Sequence, residues 1–420
     1  MSAGREIFVY ADWRGLNDPV PIGRIRAAVV RGKEIFSFEY DSGWLEIGNP
    51  VLLDPGLHFS SGIQYPSASF GLFLDSAPDR WGRRLIQRRE AFRAQEEARP
   101  ERRLLESDYL LEVHDAGRMG GLRFKTDSHG PFVSDDSGLA APPLKFLREL
   151  EHAAVELDSS DQNSAETDRW LNLLLAPGTS LGGARPKANV LDPEGNLWIA
   201  KFPSRNDEFN VGAWEMTVYQ LAKTAGLNTS AARLERFSKN GQTFLVKRFD
   251  RNGLQRIHFA SALNLLGYQD GDGSKTGVSY LELADLIGRM GERVDEDLEE
   301  LWKRIAFNVC VGNTDDHLRN HGFLLGGQGW RLSPVYDLNP QPWNDGLALN
   351  INESSNALDL GLVADVAEYF RIKPNRRDEL IREICNAVSE WERLAEVLGL
   401  SQSEIIRMRP AFRGKAGSRP

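Results

Sequence analysis

The chain has 420 residues, of which 41% are hydrophobic, 26% charged and 9% aromatic, so a wholly disordered or fibrous protein is excluded and two or three domains are expected. A formal net charge of -9 argues against a large basic nucleic-acid surface, and only two cysteines, Cys310 and Cys385, exclude a disulfide framework or a thiolate zinc cluster. No apolar run is long enough to span a bilayer and the opening MSAGREIFVYADWRG lacks a signal-type apolar core, so a cytoplasmic protein with no membrane partner is expected.

In chain order, REIFVYADW, IGRIRAAVV and KEIFSFEY are β-forming runs separated by turn residues, which predicts a small β-rich unit. DSAPDRWGRRLIQRREAFRAQEEAR predicts a helix starting near Pro78, its arginines forming a solvated face or an anion site. SDYLLEVHDAG predicts a short helix and GRMGGLRF a strand, while the polar stretch from Asp158 to Thr167 is a linker candidate. PKANVLDPEGNLWIAKFP predicts a hairpin turning through Asp192–Asn196, and ARLERFSKNGQTFLVKRFDR a second one turning at Asn240-Gly241. Between them, Val211, Trp214, Val218 and Leu221 mark one face of a helix. Helical patterns dominate from residue 255 to about 400, including Leu298, Trp302, Ile305 and Val309 at four- and three-residue steps. The basic, Gly- and Pro-containing end is expected to fray.

Three stretches carry chemistry. The first is GTSLGGARPK, residues 178–187, whose glycines would let backbone N–H groups approach phosphate oxygens; alone it also reads as a plain turn. The second is Lys201 in IAKFPS, placed nearly symmetrically with Lys187 about the hairpin turn and followed by Glu215 on the next helix. A strand lysine and a helix glutamate are how protein kinases hold the α- and β-phosphates, although Glu215 by itself reads as a surface acid. The third is NVCVGNTDDHLRNHGFLLGGQGWRLSPVYDLNP, residues 308–340. Asn320 stands five positions after Asp315, the kinase catalytic-loop spacing in which Asp orients the attacking hydroxyl and Asn binds Mg2+. A hairpin then returns the chain to Asp337, which stands where a kinase carries its second hard-oxygen ligand. Asp315, His317 and His321 could also supply mixed zinc ligands, but no HExxH pattern occurs. His317 fits better as a brace of the loop, and Cys310 as a small buried hydrophobe.

These motifs resemble the HipA family of toxin serine/threonine kinases. The resemblance rests on Ser180-Leu181-Gly182-Gly183-Ala184-Arg185-Pro186-Lys187, on Lys201, on Asn313-Thr-Asp-Asp-His-Leu-Arg-Asn320-His-Gly-Phe323 and on Tyr336-Asp337. LFLDSAPDRWGRRLIQRRE and EVHDAGRMGGLRF extend it over about residues 5–400. It implies an α+β, protein-kinase-like two-lobed fold with an additional N-terminal β-rich subdomain. The expected layout is an N-terminal region over 1–165, an N-lobe with the Gly-rich loop over 166–252, a mainly helical C-lobe over 253–408 and a disordered tail over 409–420.

The resemblance further implies Asp315 as catalytic base and Asn320 and Asp337 as Mg2+ ligands. ATP would be held by Lys201, by Ser180, Leu181, Gly182, Gly183, Ala184 and Lys187, and by Glu215, His317, Asn320 and Asp337. Val246–Phe249, with Lys247 and Phe249, would be the hinge beside adenine. Ser180 corresponds to an autophosphorylated serine whose modification ejects the loop and shuts off ATP binding. The implied partner is a small HipB-like helix-turn-helix antitoxin that carries the complex to operator DNA. The implied substrate is a translation component such as an aminoacyl-tRNA synthetase, whose phosphorylation favours dormancy and persistence. The chain shows a second acid, Asp316, inside the motif; charge alone does not separate it from Asp315, whereas the spacing to Asn320 favours Asp315. Arg185 beside the loop is a further candidate for phosphate. The alternatives are a small-molecule phosphotransferase on a kinase-like fold and a non-catalytic repressor or antitoxin-binding protein. A stand-alone DNA-binding module lacks any helix-turn-helix or zinc-finger signature.

Overall fold

The computed structural model describes residues 4–47, 54–66, 71–135, 141–159, 171, 174 and 183–413. They fall into two compact units, residues 1–205 with 250–260 and residues 206–249 with 261–420. The loop residues Ser180, Leu181 and Gly182 lie outside the described residues, as does most of the linker candidate.

The first unit starts with an antiparallel sheet of β1 (Arg5–Ala11), β2 (Val20–Val30), β3 (Lys33–Tyr40), β4 (Ile63–Gln64) and β5 (Leu122–Lys125), in the order β4-β3-β2-β1-β5. Two-residue alternation sends Ile7, Val9 and Ala11 of β1 into the core. Opposite Ile7 lies Ile25, which faces Phe38 in turn, and opposite Val9 lies Phe124. These apolar cross-strand pairs fix the register, because a one-residue slip would turn the whole set to water.

Helix α1 (Arg80–Glu96) follows the expected start: Asp79 is its N-cap and accepts from the Gly82 N–H at 2.8 Å. Its arginines meet acids, Arg83 on Glu106, Arg84 on Asp158 and Arg89 on Glu112. The face is thus used in ion pairs rather than left fully to solvent. Glu106 belongs to α2 (Glu106–Glu112) and Asp158 to α3 (Leu147–Ser159), whose Leu150, Ala153, Ala154 and Leu157 are buried.

The hairpin of β6 (Lys187–Leu191) and β7 (Leu197–Lys201) completes this unit. Asp192 holds its turn, accepting from the Asn196 N–H at 2.7 Å and the Trp198 indole at 2.9 Å. Burial opposes the Asp192 charge, but these hydrogen bonds bring its pKa down to about 2. Residues 250–260 belong here through polar contacts. Asp250 accepts from the Gly120 N–H at 2.8 Å, Arg251 donates to the Arg118 carbonyl at 2.6 Å, and Arg256 pairs with Asp115 at 3.0 Å.

The second unit opens with α4 (Val211–Thr224), capped by Asn210. Trp214, Val218 and Leu221 are buried as the periodicity predicts. β8 (Ala232–Glu235) and β9 (Thr243–Lys247) pair antiparallel, Glu235 opposite Thr243. Their connection runs over 236–242, so Asn240-Gly241 is part of a longer loop and not a two-residue turn.

Helices α5 (Tyr280–Met290) and α6 (Val294–Val311) carry the core. Asp295, Glu296 and Asp297 stand in the first turn of α6, where the helix dipole favours acids. The hairpin of β10 (Gly322–Leu325) and β11 (Trp330–Leu332) forms as predicted, Phe323 opposite Leu332.

Helices α7 (Pro374–Ser389), α8 (Trp391–Val397) and α9 (Gln402–Met408) close the unit. The expected tail over 409–420 is corrected in its first part. Residues 409–411 form a 3-10 turn and Phe412 stacks on Trp391 with ring centroids 4.1 Å apart. An aromatic partner at that separation holds the segment down. Residues 414–420 lie outside the described residues. Among the described residues no helix is long and apolar enough to cross a membrane.

Candidate active site

The candidate residues are divided between the units. In the first, the register places Lys187 directly opposite Lys201, so both side chains leave the same face of the hairpin. Their environments differ. Lys201 is half-buried, whereas Lys187 is 1% exposed. The Lys187 ammonium lies 3.0 Å from Asp79 Oδ2 and donates to the Gly183 carbonyl at 2.8 Å. Gly183 and Ala184 are exposed and Arg185 is half-buried. Lys187 thus turns toward the protein, while the loop backbone above it faces solvent.

The second unit holds the catalytic-loop candidates. Helix α6 ends at Gly312, whose φ of 63° is left-handed and whose N–H returns to the Asn308 carbonyl. A Cβ there would also come within 2.7 Å of the Ala411 carbonyl oxygen, so the position requires glycine on two counts. The chain then reverses through Asn313–His317. The Asn313 side chain donates to Asn308 Oδ1 at 3.0 Å, and Asn320 N–H to the His317 carbonyl at 2.8 Å.

The two adjacent acids have opposite environments. Asp316 is buried, and one of its oxygens accepts from Tyr280 at 2.7 Å, Asn308 at 2.7 Å and His321 at 2.9 Å. Burial works against its charge, yet His321, Tyr280 and the nearby His317 hold the carboxyl below its ordinary value. Burial and then the Asp316 charge push the Tyr280 hydroxyl well above its own. Asp315, by contrast, is exposed, and its backbone carbonyl accepts from Asn320 Nδ2 at 2.9 Å. That bond commits the amide nitrogen of Asn320 to the loop and leaves Oδ1 as its hard donor.

Asp337 approaches this loop through its neighbours. The Tyr336 hydroxyl donates to the Arg319 carbonyl, Asn339 N–H to Asn313 Oδ1 at 3.4 Å, and Gln341 N–H to the Gly312 carbonyl at 2.9 Å. Asp337 itself adopts a φ of 59°, and Asn339 donates to its Oδ1 at 3.2 Å. A non-glycine residue there is uncommon, and Asp is one of the few side chains that accept it. Phe249 brings the hinge candidate to the same region, its ring 5.5 Å from that of Tyr336; Lys247 is half-buried on β9.

Glu215 is 2% exposed on α4, so the surface-acid reading does not hold. His317 is half-buried, and its N–H donates to the Asp315 carbonyl at 2.9 Å. Among the described residues no group of three or more His, Cys, Asp and Glu is placed to hold a metal ion. His321 directs Nε2 at Asp316, which leaves no zinc set with His317. Cys310 is fully buried. Sequence reasoning missed Asp79, Tyr280 and Asn308. Asp79 is legible as an N-cap, but its pairing with Lys187 spans 108 residues and has no local signal.

Comparison with known proteins agrees with these motifs. The HipA-like C-terminal domain model matches residues 179–391. A Sinorhizobium fredii protein named "Putative kinase Y4mE" is 32% identical over 148 residues, 33% of this chain and 33% of its own length. The serine/threonine-protein kinase toxin HipA of Shewanella oneidensis is 25% identical over 188 residues, 39% of this chain and 43% of its own. The chain therefore spans less than half the length of either relative in these matches. The solved Shewanella oneidensis HipA, in a complex with HipB and operator DNA, superposes with a TM-score of 0.64 at 16% identity, covering 93% of this chain and 92% of that one. The fold is accordingly the α+β fold of that protein, with several separate sheets. With a domain model that takes in half of its residues, the chain belongs to the HipA-like family.

Proposed function

We propose that this protein is an ATP- and Mg2+-dependent serine/threonine protein kinase and the toxin of a toxin–antitoxin pair. The observation that carries this reading is the division of labour in the Asp315-Asp316 pair. Asp316 is consumed in building the loop, and Asp315 stays exposed five residues before Asn320, whose amide is fixed on the Asp315 carbonyl. In this role Asp315 orients a substrate hydroxyl and accepts its proton. Asn320 Oδ1 and the Asp337 carboxylate are oxygen donors of the type Mg2+ requires. Bound Mg-ATP supplies the transferred phosphoryl group. In this reading Lys201 would neutralise charge that develops on the phosphates, and the exposed Gly183 and Ala184 would belong to the phosphate loop together with Ser180, Leu181 and Gly182. Arg185 is a further cation for phosphate or for phosphorylated Ser180. Glu215, Lys247, Phe249 and His317 complete the nucleotide set, Phe249 beside adenine.

The proposal extends to autophosphorylation at Ser180, to an aminoacyl-tRNA synthetase or similar translation component as target, and to cytoplasmic action. A HipB-like antitoxin would restrain the kinase and carry it to operator DNA. The lobe layout with its N-lobe at 166–252 belongs to the same proposal. The test is to incubate the protein with γ-labelled ATP, a protein mixture and small alcohols, with and without EDTA. Label on protein serine or threonine, lost with EDTA, is the expected result. Label on a small alcohol would replace the reading with a small-molecule phosphotransferase.

A further inference from the structure

Asp79 lies far from the motifs that carry the chemistry and outside the 179–391 family match, yet it reaches the base of the glycine-rich loop. Its Oδ1 caps α1 through the Gly82 N–H at 2.8 Å, and its Oδ2 lies 3.0 Å from the Lys187 ammonium. The same ammonium donates to the Gly183 carbonyl at 2.8 Å. At the second residue of α1, the Trp81 indole donates to the Lys187 carbonyl at 3.1 Å. Side-chain exposure in the pair is 1% for Lys187 and 2% for Asp79. A lysine so buried requires a compensating charge, and removing one partner of such a pair leaves an uncompensated ion.

We infer that Asp79 is a positioning residue for the glycine-rich loop, acting through Lys187 as a latch between the start of α1 and the Gly183 carbonyl. Lys187 then fixes the loop's backbone and does not serve as a phosphate ligand. Two consequences follow that a phosphate-binding Lys187 would not share. Freeing Lys187 from Asp79 weakens nucleotide binding, where a phosphate ligand would bind as well or better. The backbone at 183–187 also loosens without nucleotide. The nucleotide consequence rests on the kinase reading; the backbone consequence does not.

The experiment compares the full-length parent with Asp79→Asn, which keeps an N-cap side chain but removes the charge. Deuterium exchange is followed without nucleotide, and Mg-ATP affinity by titration. The latch predicts at least a tenfold faster exchange at 183–187, with unchanged protection at 85–96, and at least a tenfold weaker Mg-ATP affinity. Parental exchange in a folded Asp79→Asn protein, or equal or tighter Mg-ATP binding, overturns it. If Asp79→Asn does not fold, the paired Asp79→Leu/Lys187→Met variant takes its place, since an apolar pair can replace a buried ion pair without loss of fold. It is judged by the same readouts. A parent that binds no Mg-ATP overturns the kinase reading, while the exchange result still decides the latch.

Discussion

The candidate catalytic loop and the base of the glycine-rich loop are each organised by a buried carboxylate, Asp316 in one and Asp79 in the other. Asp316 draws two of its three partners from nearby sequence, Asn308 and His321, with Tyr280 on α5 as the third. Asp79 reaches Lys187 across 108 residues. The catalytic loop is thus a mainly local polar cluster, satisfied by neutral donors and a histidine. The glycine-rich loop depends on an ion pair contributed by the N-terminal region. Local clusters preserve a motif's spacing, whereas a distant ion pair makes a loop's position depend on another part of the fold.

The largest expected effect breaks the first of these. Asp316→Ala leaves three buried donors without their acceptor and should cost about 3–5 kcal/mol of stability, read as a lowered denaturant midpoint. A smaller loss would show that the cluster can rearrange. Next, Phe412→Ala removes the ring stacked on Trp391, one residue after the Ala411 that lies against Gly312. Phe412 is half-buried, so the loss should be about 2 kcal/mol in the same measurement, and it would show that the second unit also draws on sequence far from its motif. A more modest change is Asp337→Ala, which places an ordinary side chain at a φ of 59° and should cost about 1–2 kcal/mol. Asp337→Asn should cost less, because Asn tolerates this region. The two variants differ in stability only if backbone conformation is part of the Asp337 role.

The smallest effect concerns pH. Asp192 has a folded pKa of about 2 against an ordinary 3.8. A depressed pKa stabilises the fold above the unfolded value, and the contribution is lost as pH falls through the folded one. Stability should therefore decline between pH 3.8 and about 2, and Asp192→Asn should flatten that part of the acid-unfolding profile.

Much of the architecture was legible because it is encoded locally. The β-forming run REIFVYADW, the helix beginning near Pro78 and the β10–β11 hairpin all follow from residues a few positions apart. The spacing of Asp315 and Asn320 was equally plain, but the contrast between Asp315 and Asp316 was not. It depends on Tyr280 and Asn308 lying behind the loop. The burial of Lys187 against Asp79 was not legible either, because a resemblance that groups Lys187 with the glycine-rich loop carries no sign of a partner 108 residues away. The end of the chain was misread for a related reason. RMRPAFRG has the composition of a tail, whereas Trp214 and Trp391, remote in sequence, give Phe412 a place to pack.

The central claim is that Asp315 performs the transfer while Asp316 builds the loop. It is tested most directly by intact-mass and phosphopeptide analysis of the parent and Asp315→Asn after incubation with Mg-ATP, with thermal melting as a check on folding. The account predicts phosphate on the parent, mapped to Ser180, and none on an Asp315→Asn protein that melts with the parent. An Asp315→Asn protein that acquires phosphate as the parent does would contradict it.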